Sequence, residues 1–109
     1  MIGLELGSVW MRLGAQVTVV EFMDKLAASM DQQCVGVLQK NLAKQGMKFL
    51  LNTKVTGSLH KGDQVELTYE TMSDGKTGSL KADVVLVSTG RKPYSEGLGL
   101  EKIGIFKDK

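Results

Sequence analysis

Residues 1–21 read MIGLELGSVWMRLGAQVTVVE, and this stretch decides how the rest of the chain is interpreted. Leu6, Val9, Trp10 and Leu13 recur at helical spacing, and Gly14 stands where a helix-terminating glycine belongs. The β-branched run that follows, residues 17–20, is typical of a strand buried on both faces of a parallel sheet. A helix followed by such a strand is the second half of a βαβ unit, so we expect the first strand of that unit to be missing from the chain.

The elements after residue 21 alternate in the same way at first. Ser29 or Asp31 can cap a second helix that ends at Gly46, and residues 47–51 form another apolar strand. Apolar and polar residues then alternate in two runs around a Lys-Gly-Asp turn, which predicts an antiparallel hairpin followed by a third short strand. The predicted ranges of these three strands are 53–59, 64–71 and 78–81.

A fully buried strand is expected at residues 84–87, and the last seventeen or so residues resemble a departing connection. This order predicts an α/β domain spanning residues 1–109: three-layered, Rossmann-like and dinucleotide-binding, with a β-meander in place of one crossover helix and with its first strand missing.

Composition limits the function classes. The chain has 109 residues, a net charge of +2 and a single cysteine. Such a small charge gives no reason to expect a nucleic-acid or membrane partner, and no apolar stretch approaches the roughly 18 residues of a membrane span. One cysteine excludes an internal disulfide and favours an intracellular protein.

The opening stretch also carries a candidate nucleotide site. Gly3 fits the third glycine of a G-x-G-x-x-G turn, and Gly7 allows close packing one helical turn later. Glu21 follows the second strand about 20 residues beyond the turn, where an acid can accept hydrogen bonds from a ribose diol. Spacing alone leaves a second interpretation open, in which both glycines serve packing and Glu21 is an ordinary solvated glutamate.

Three segments extend the argument to nearly the whole chain. They are IGLELGSVWMRLGAQVTVVEF (2–22), KNLAKQGMKFLLNTKVTG (40–57) and ADVVLVSTGRKPYSEGLGLEKIGI (82–105). In type and order they resemble the nicotinamide-binding domain of the FAD-dependent pyridine nucleotide–disulfide oxidoreductases. Within that family they most resemble the members that oxidise dihydrolipoyl groups of 2-oxoacid dehydrogenase complexes through a disulfide and FAD and pass a hydride to NAD.

The resemblance implies a set of cofactor-binding residues. They are Met1, Ile2, Gly3 and Leu4 at the NAD pyrophosphate, Glu5 beside the nicotinamide, Glu21 at the adenosine ribose, Val55 at the adenine and Gly90 on the nicotinamide side. It also implies that FAD binds elsewhere in the intact enzyme. The implied partners are the FAD domain, a second subunit of a homodimer and lipoyl domains. The implied compartment is the mitochondrial matrix in a eukaryote and the cytoplasm in a bacterium.

The chain also departs from the family pattern. The redox-active cysteine pair, the His–Glu pair and the FAD-binding turn are missing, so we assign no catalytic or metal-binding residue and expect no catalysis by the chain alone. Cys34 is expected to be a small buried residue, His60 a surface residue and Trp10 part of the core. Two alternatives stay open: the same domain of another FAD-dependent disulfide or small-molecule reductase, and a non-catalytic truncated product that acts as an interaction module.

Overall fold

The computed structural model describes residues 1–106, and the last three residues of the predicted domain and of its departing connection lie outside the described residues. Two helices and five strands precede a short 3₁₀ helix. Their bounds are α1 Ile2–Arg12, β1 Thr18–Val20, α2 Gln32–Lys44, β2 Lys48–Leu50, β3 Thr53–Lys61, β4 Gln64–Thr71, β5 Thr77–Ala82 and the 3₁₀ helix Leu100–Ile103.

The first half of the chain is a parallel α/β unit. β1 and β2 pair in parallel, with Val19 opposite Phe49, and both helices pack on this pair. The core between them consists of five buried side chains: Leu4, Leu26, Val35, Leu42 and Met47. A mixed α/β architecture was therefore predicted correctly, and its core depends on residues from α1, α2 and the segments that connect them to the strands.

Local signals placed the ends of both helices correctly. Gly14 and Gly46 follow α1 and α2 with φ of +100° and +104°, a conformation that a glycine adopts without the steric cost of a Cβ. Asp31 caps α2, because its carboxylate accepts hydrogen bonds from the backbone N–H groups of Gln33 and Cys34, both at 3.0 Å. Each of these features depends on residues close in sequence.

The second half of the chain is the predicted meander. β3, β4 and β5 form an antiparallel sheet in that order, and β3 turns into β4 through Gly62, whose φ is +62°. A bulge between Val55 and Gly57 shifts the register of β3 against β4. The third strand, predicted at residues 78–81, extends over Thr77–Ala82.

The strand expected at residues 84–87 is a wrong prediction. These residues have no regular secondary structure, and Val84 and Val87 are 77% and 76% exposed. Within residues 1–106, no backbone hydrogen bond joins this segment to a strand. A β-strand exists only through pairing with a neighbour, so an apolar run without one stays irregular however strong its propensity.

Three burial predictions also require correction. Trp10 is 39% exposed, because the buried residues of α1 are Leu4 and Gly7. Cys34 is exposed, because α2 turns Val35 and Leu42 towards the core instead. β1 is only partly buried, whereas burial on both faces was expected. In all three cases the residues lie on a surface of a helix or of the β1–β2 pair against which no other described element packs.

The described chain is less compact than a typical domain of its length. Its Cα radius of gyration is 17.3 Å, compared with about 13 Å for a compact chain of similar size. Within residues 1–106 no helix combines the length and apolar character needed to cross a membrane.

Candidate functional site

Glu21 lies where the parallel sheet meets the meander. Its backbone N–H donates to the Leu50 carbonyl at 2.9 Å, and its own carbonyl accepts from the Thr53 N–H at 2.9 Å. These two bonds continue the β1–β2 ladder by one residue and then attach it to the first residue of β3. The backbone of Glu21 is therefore fixed by both sheets, directly after the carboxyl end of β1.

The carboxylate of Glu21 is held on one side only. Its Oε1 accepts a hydrogen bond from the Met23 backbone N–H at 3.0 Å. Its Oε2 has no hydrogen-bond partner among residues 1–106, and the side chain is partly exposed. One oxygen thus orients the group while the other can accept hydrogen bonds from a ligand, which suits a ribose diol.

The amino end of α1 forms a second part of the predicted site. A Cβ on Gly3 would lie 3.2 Å from the Cβ and 3.3 Å from the Oγ of Ser88, so only glycine lets the helix start pack this closely on residues 84–90. Met1 supplies no side-chain cap to α1. The first N–H groups of a helix have no partner within it, and they form a natural cradle for an anion such as a pyrophosphate.

These two parts belong to the same edge of the sheet. A crossover helix leaves the carboxyl edge of a parallel sheet and returns to the amino edge, where β1 begins. The start of α1 and the end of β1 are therefore both on the carboxyl edge, where α/β sheets bind ligands. By this topology Gly3 and Glu21 lie towards the same edge of the sheet, and their joint role in a dinucleotide site stays a prediction.

The other predicted residues have varied positions. Gly90 follows Ser88 by two residues and has a φ of +104°, so the chain turns near the start of α1. Val55 is 43% exposed on β3, two residues after the Thr53 that bonds to Glu21. Met1 and Ile2 are exposed, whereas the Leu4 side chain belongs to the core and its backbone N–H donates to the Met1 carbonyl at 2.8 Å.

Glu5 lines a shallow groove between α1 and α2, which it shares with the predicted residues Met1 and Leu4 and with Leu38 and Asn41 of α2. Its proximity to a nicotinamide is an expectation that rests on the family resemblance alone.

Sequence reasoning missed the residues that hold Glu21 in place. The Met23 N–H donates to its carboxylate, and the Thr53 N–H donates to its carbonyl. Asn52, directly before Thr53, donates to the Met23 carbonyl and has a left-handed φ of +51°. Only Asn52 carried a signal in the sequence, since an asparagine between two strands often marks a left-handed corner. The bonds of Met23 and Thr53 depend on backbone groups, which no sequence motif reveals.

Within residues 1–106, local hydrogen bonds lower the pKa values of Asp31, Glu66 and Asp74, which lie outside the predicted site. The Cys34 backbone N–H lowers the pKa of Asp31, while hydrogen bonds from Lys61 and Lys76 lower the pKa values of Glu66 and Asp74. The part of the chain that the structure describes contains no group of three His, Cys, Asp or Glu residues suited to a metal ion.

The class of protein follows from this arrangement. A parallel α/β unit with a glycine at the helix start and an acid after the first strand has the pattern of the dinucleotide-binding α/β folds, and here it is joined to an antiparallel meander. The chain belongs to the pyridine nucleotide-disulphide oxidoreductase family, whose family model matches residues 1–109.

Curated relatives and solved structures agree with this assignment. The chain is 52% identical over 108 residues to dihydrolipoyl dehydrogenase 3 of Pseudomonas putida, and 54% identical over 108 residues to leghemoglobin reductase of Vigna unguiculata, covering 99% of the chain in both cases. It spans 23% and 21% of the length of these relatives.

Its fold matches LpdA from Mycobacterium tuberculosis with a TM-score of 0.81 and 29% identity, covering 99% of this chain and 22% of that one. It also matches an NAD-dependent persulfide reductase from A. fulgidus with a TM-score of 0.74 and 34% identity, covering 94% of this chain and 18% of the other.

Proposed function

We propose that this chain is the NAD-binding segment of a dihydrolipoyl dehydrogenase. The intact enzyme oxidises dihydrolipoyl groups of 2-oxoacid dehydrogenase complexes through a disulfide and FAD, with NAD as the acceptor. The observation that carries the proposal is the carboxylate of Glu21, which the Met23 N–H fixes through one oxygen while the other oxygen has no partner among residues 1–106. The close similarity to dihydrolipoyl dehydrogenases supports the choice of enzyme within the family.

The residues of this chain would bind and orient NAD. The first turn of α1 holds the pyrophosphate, Glu21 accepts hydrogen bonds from the adenosine ribose, and Val55 contacts the adenine. Glu5 and Gly90 lie towards the nicotinamide, which supplies the hydride-accepting carbon when it is bound. This is a positioning role, because the chain has one cysteine and so cannot form a redox-active pair.

The rest of the enzyme would bind FAD and would contact the second subunit and the lipoyl domains. Isolated, the chain should bind NAD weakly and should not reduce lipoamide or dyes even with FAD added. Reproducible turnover by the purified 109-residue chain would contradict the proposal.

We further propose that the complete domain has a strand between β1 and residues 84–87. Two observations support this: residues 84–87 are apolar yet unpaired, and an apolar side of α1 that includes Leu6, Val9 and Trp10 is exposed. A five-residue strand would bury several apolar side chains at about 1.5–3 kcal/mol each. That sum approaches the roughly 5–15 kcal/mol of a typical domain.

A second candidate comes from the similarity to leghemoglobin reductase, which is as high as that to the dihydrolipoyl dehydrogenases. The chain would then bind NAD in a flavoprotein that reduces a different acceptor. The two candidates share the nucleotide site and differ in substrate, so assaying the intact enzyme with dihydrolipoamide separates them.

Replacing Glu21 by alanine in the intact enzyme tests the nucleotide site. NADP carries a 2′-phosphate of about −1.5 to −2 charges. Two unit charges about 4 Å apart repel by about 1 kcal/mol in water and about 4 kcal/mol near a protein surface. NAD should therefore be preferred over NADP by about ten- to a thousandfold in kcat/KM. Glu21→Ala should lower this preference, because it weakens NAD binding and removes the repulsion of the 2′-phosphate of NADP. An unchanged NAD-to-NADP ratio of kcat/KM would show that Glu21 does not bind the ribose.

A further inference from the structure

Asn52 forms the corner between β2 and β3, and its backbone is in an unusual conformation. Its φ is +51°, and apart from Ala27 it is the sole non-glycine residue with a positive φ among residues 1–106. A left-handed conformation is costly for most side chains, whereas asparagine tolerates it. The corner therefore favours asparagine, aspartate or glycine over other residues.

The corner holds the segment that carries Glu21. The Asn52 N–H donates to the Met23 carbonyl at 2.8 Å, and the next N–H, that of Thr53, donates to the Glu21 carbonyl at 2.9 Å. Two successive N–H groups thus point to carbonyls two residues apart on the same neighbouring segment. A right-handed residue at position 52 would rotate one of these groups away, so the left-handed turn is what permits both bonds.

The bond to Met23 continues to the carboxylate. The N–H of Met23 donates to Glu21 Oε1 at 3.0 Å, while its carbonyl accepts from Asn52. Fixing Met23 at its carbonyl also fixes the N–H that orients the carboxylate. A chain of hydrogen bonds therefore runs from the corner, through one residue, to the group proposed to bind ribose.

The corner is also tied to the meander. The Asn52 carbonyl accepts a hydrogen bond from the Met72 N–H at 2.8 Å, in the turn between β4 and β5. The corner is thus bonded on both sides, and its position does not depend on the loop after β1 alone.

We propose that Asn52 is a positioning residue for nucleotide discrimination: its left-handed corner holds Met23 so that the Glu21 carboxylate is fixed with one oxygen towards the adenosine ribose. A carboxylate held in this way excludes a 2′-phosphate more strictly than one that can swing away. The inference rests on the proposed function of the chain as an NAD-binding segment.

The test compares Asn52→Ala with Asn52→Gly in the intact enzyme. Alanine disfavours the left-handed corner, so the NAD-to-NADP ratio of kcat/KM should fall about fivefold, the equivalent of the strain that alanine adds. The fall should come from a higher KM for NAD and a lower KM for NADP, with kcat unchanged, because the adenosine end is remote from the reacting carbon. Glycine keeps the corner, and its ratio should stay within twofold of the wild type.

Two controls separate positioning from general destabilisation. Val65→Ala removes a buried side chain from β4 and should lower the melting temperature without changing the ratio. In a Glu21→Ala background, Asn52→Ala should have no further effect on the ratio, since it acts through that carboxylate. As a readout without nucleotide, the Met23 amide should exchange with solvent faster in Asn52→Ala and at the wild-type rate in Asn52→Gly.

The outcomes are distinguishable. If Glu21→Ala lowers the ratio and Asn52→Ala leaves both the ratio and the Met23 exchange unchanged, the positioning role is wrong and the nucleotide site stands. If Glu21→Ala itself leaves the ratio unchanged, the ribose assignment fails and the role of Asn52 fails with it. Should Asn52→Ala not fold in the intact enzyme, Asn52→Ser takes its place, since serine also disfavours the left-handed corner: a lower ratio with faster Met23 exchange would support the inference, and a wild-type ratio would overturn it.

Discussion

The contact between Tyr69 and Gly78 allows a stability prediction with a clear sign. The two residues face each other across β4 and β5, and the tyrosine ring covers the glycine. A Cβ added at position 78 would lie 2.5 Å from the Tyr69 Oη and 2.6 Å from its Cζ. Gly78→Ala must therefore push the ring off the strand.

The expected cost follows from two opposing effects. Overpacking of this kind costs about 1–3 kcal/mol. Alanine recovers about 0.5–1 kcal/mol, because glycine loses more backbone freedom when a strand forms. The net destabilisation therefore lies between about 0 and 2.5 kcal/mol, and its midpoint of about 1.3 kcal/mol would raise the open population of the β4–β5 ladder about ninefold.

Hydrogen exchange of the β4 and β5 backbone amides measures this opening directly. Gly36→Ala in α2 is the matched control, since no heavy atom outside the local helix backbone lies within 4 Å of a Cβ there and the φ is not left-handed. That change should stabilise α2 by about 1 kcal/mol. In a Tyr69→Ala background, Gly78→Ala should become neutral or stabilising, because the ring is gone. If the β4 and β5 backbone amides exchange equally slowly in Gly78→Ala and in Gly36→Ala, with Tyr69 present in both variants, the reasoning is refuted.

Three further predictions concern stability and association. Ala27 has a φ of +42° and packs against the core, so in Ala27→Gly the relief of about 1–2 kcal/mol of backbone strain is offset by about 0.5–1 kcal/mol of glycine entropy and about 0.8 kcal/mol of lost methyl burial. The urea midpoint should therefore stay close to that of the wild type, and a shift equivalent to more than about 1 kcal/mol would contradict this balance. The Cys34 N–H lowers the pKa of Asp31 in the folded protein, so the cap should stabilise α2 fully above the ordinary value of 3.8 and lose this effect as the pH falls below it. Asp31→Asn should remove that pH dependence from the urea midpoint, and an unchanged acid limb would argue against the cap. The isolated 109-residue chain should associate or melt broadly because of its exposed apolar surface, including Trp10 and Val87; a sharp, concentration-independent transition from a monomer would count against it.

Local chemistry made much of the fold readable from the sequence. The helix ends at Gly14 and Gly46, the Asp31 cap and the hairpin turn at Gly62 were all predicted, because each depends on residues within a few positions of one another. Close packing at Gly7 was also predicted, and the structure agrees, because a Cβ there would lie 3.3 Å from Val17 Cγ1. The site residues Gly3 and Glu21 were placed by spacing along a βαβ unit, and their roles stay predictions.

The tertiary structure decided what no local pattern contains. Residues 84–87 have the composition of a strand, yet pairing needs a neighbouring edge, and no described strand supplies one. Trp10 was assigned to the core from the helical period, but the side of α1 that meets α2 and the sheet carries Leu4 and Gly7. The sequence by itself determined α1, α2, the five strands β1–β5 and the presence of an acid after β1, because these follow from short-range sterics and patterning. Only the tertiary structure decided how that acid is held, because its partners at Met23 and the Asn52 corner act through backbone groups that folding brings together.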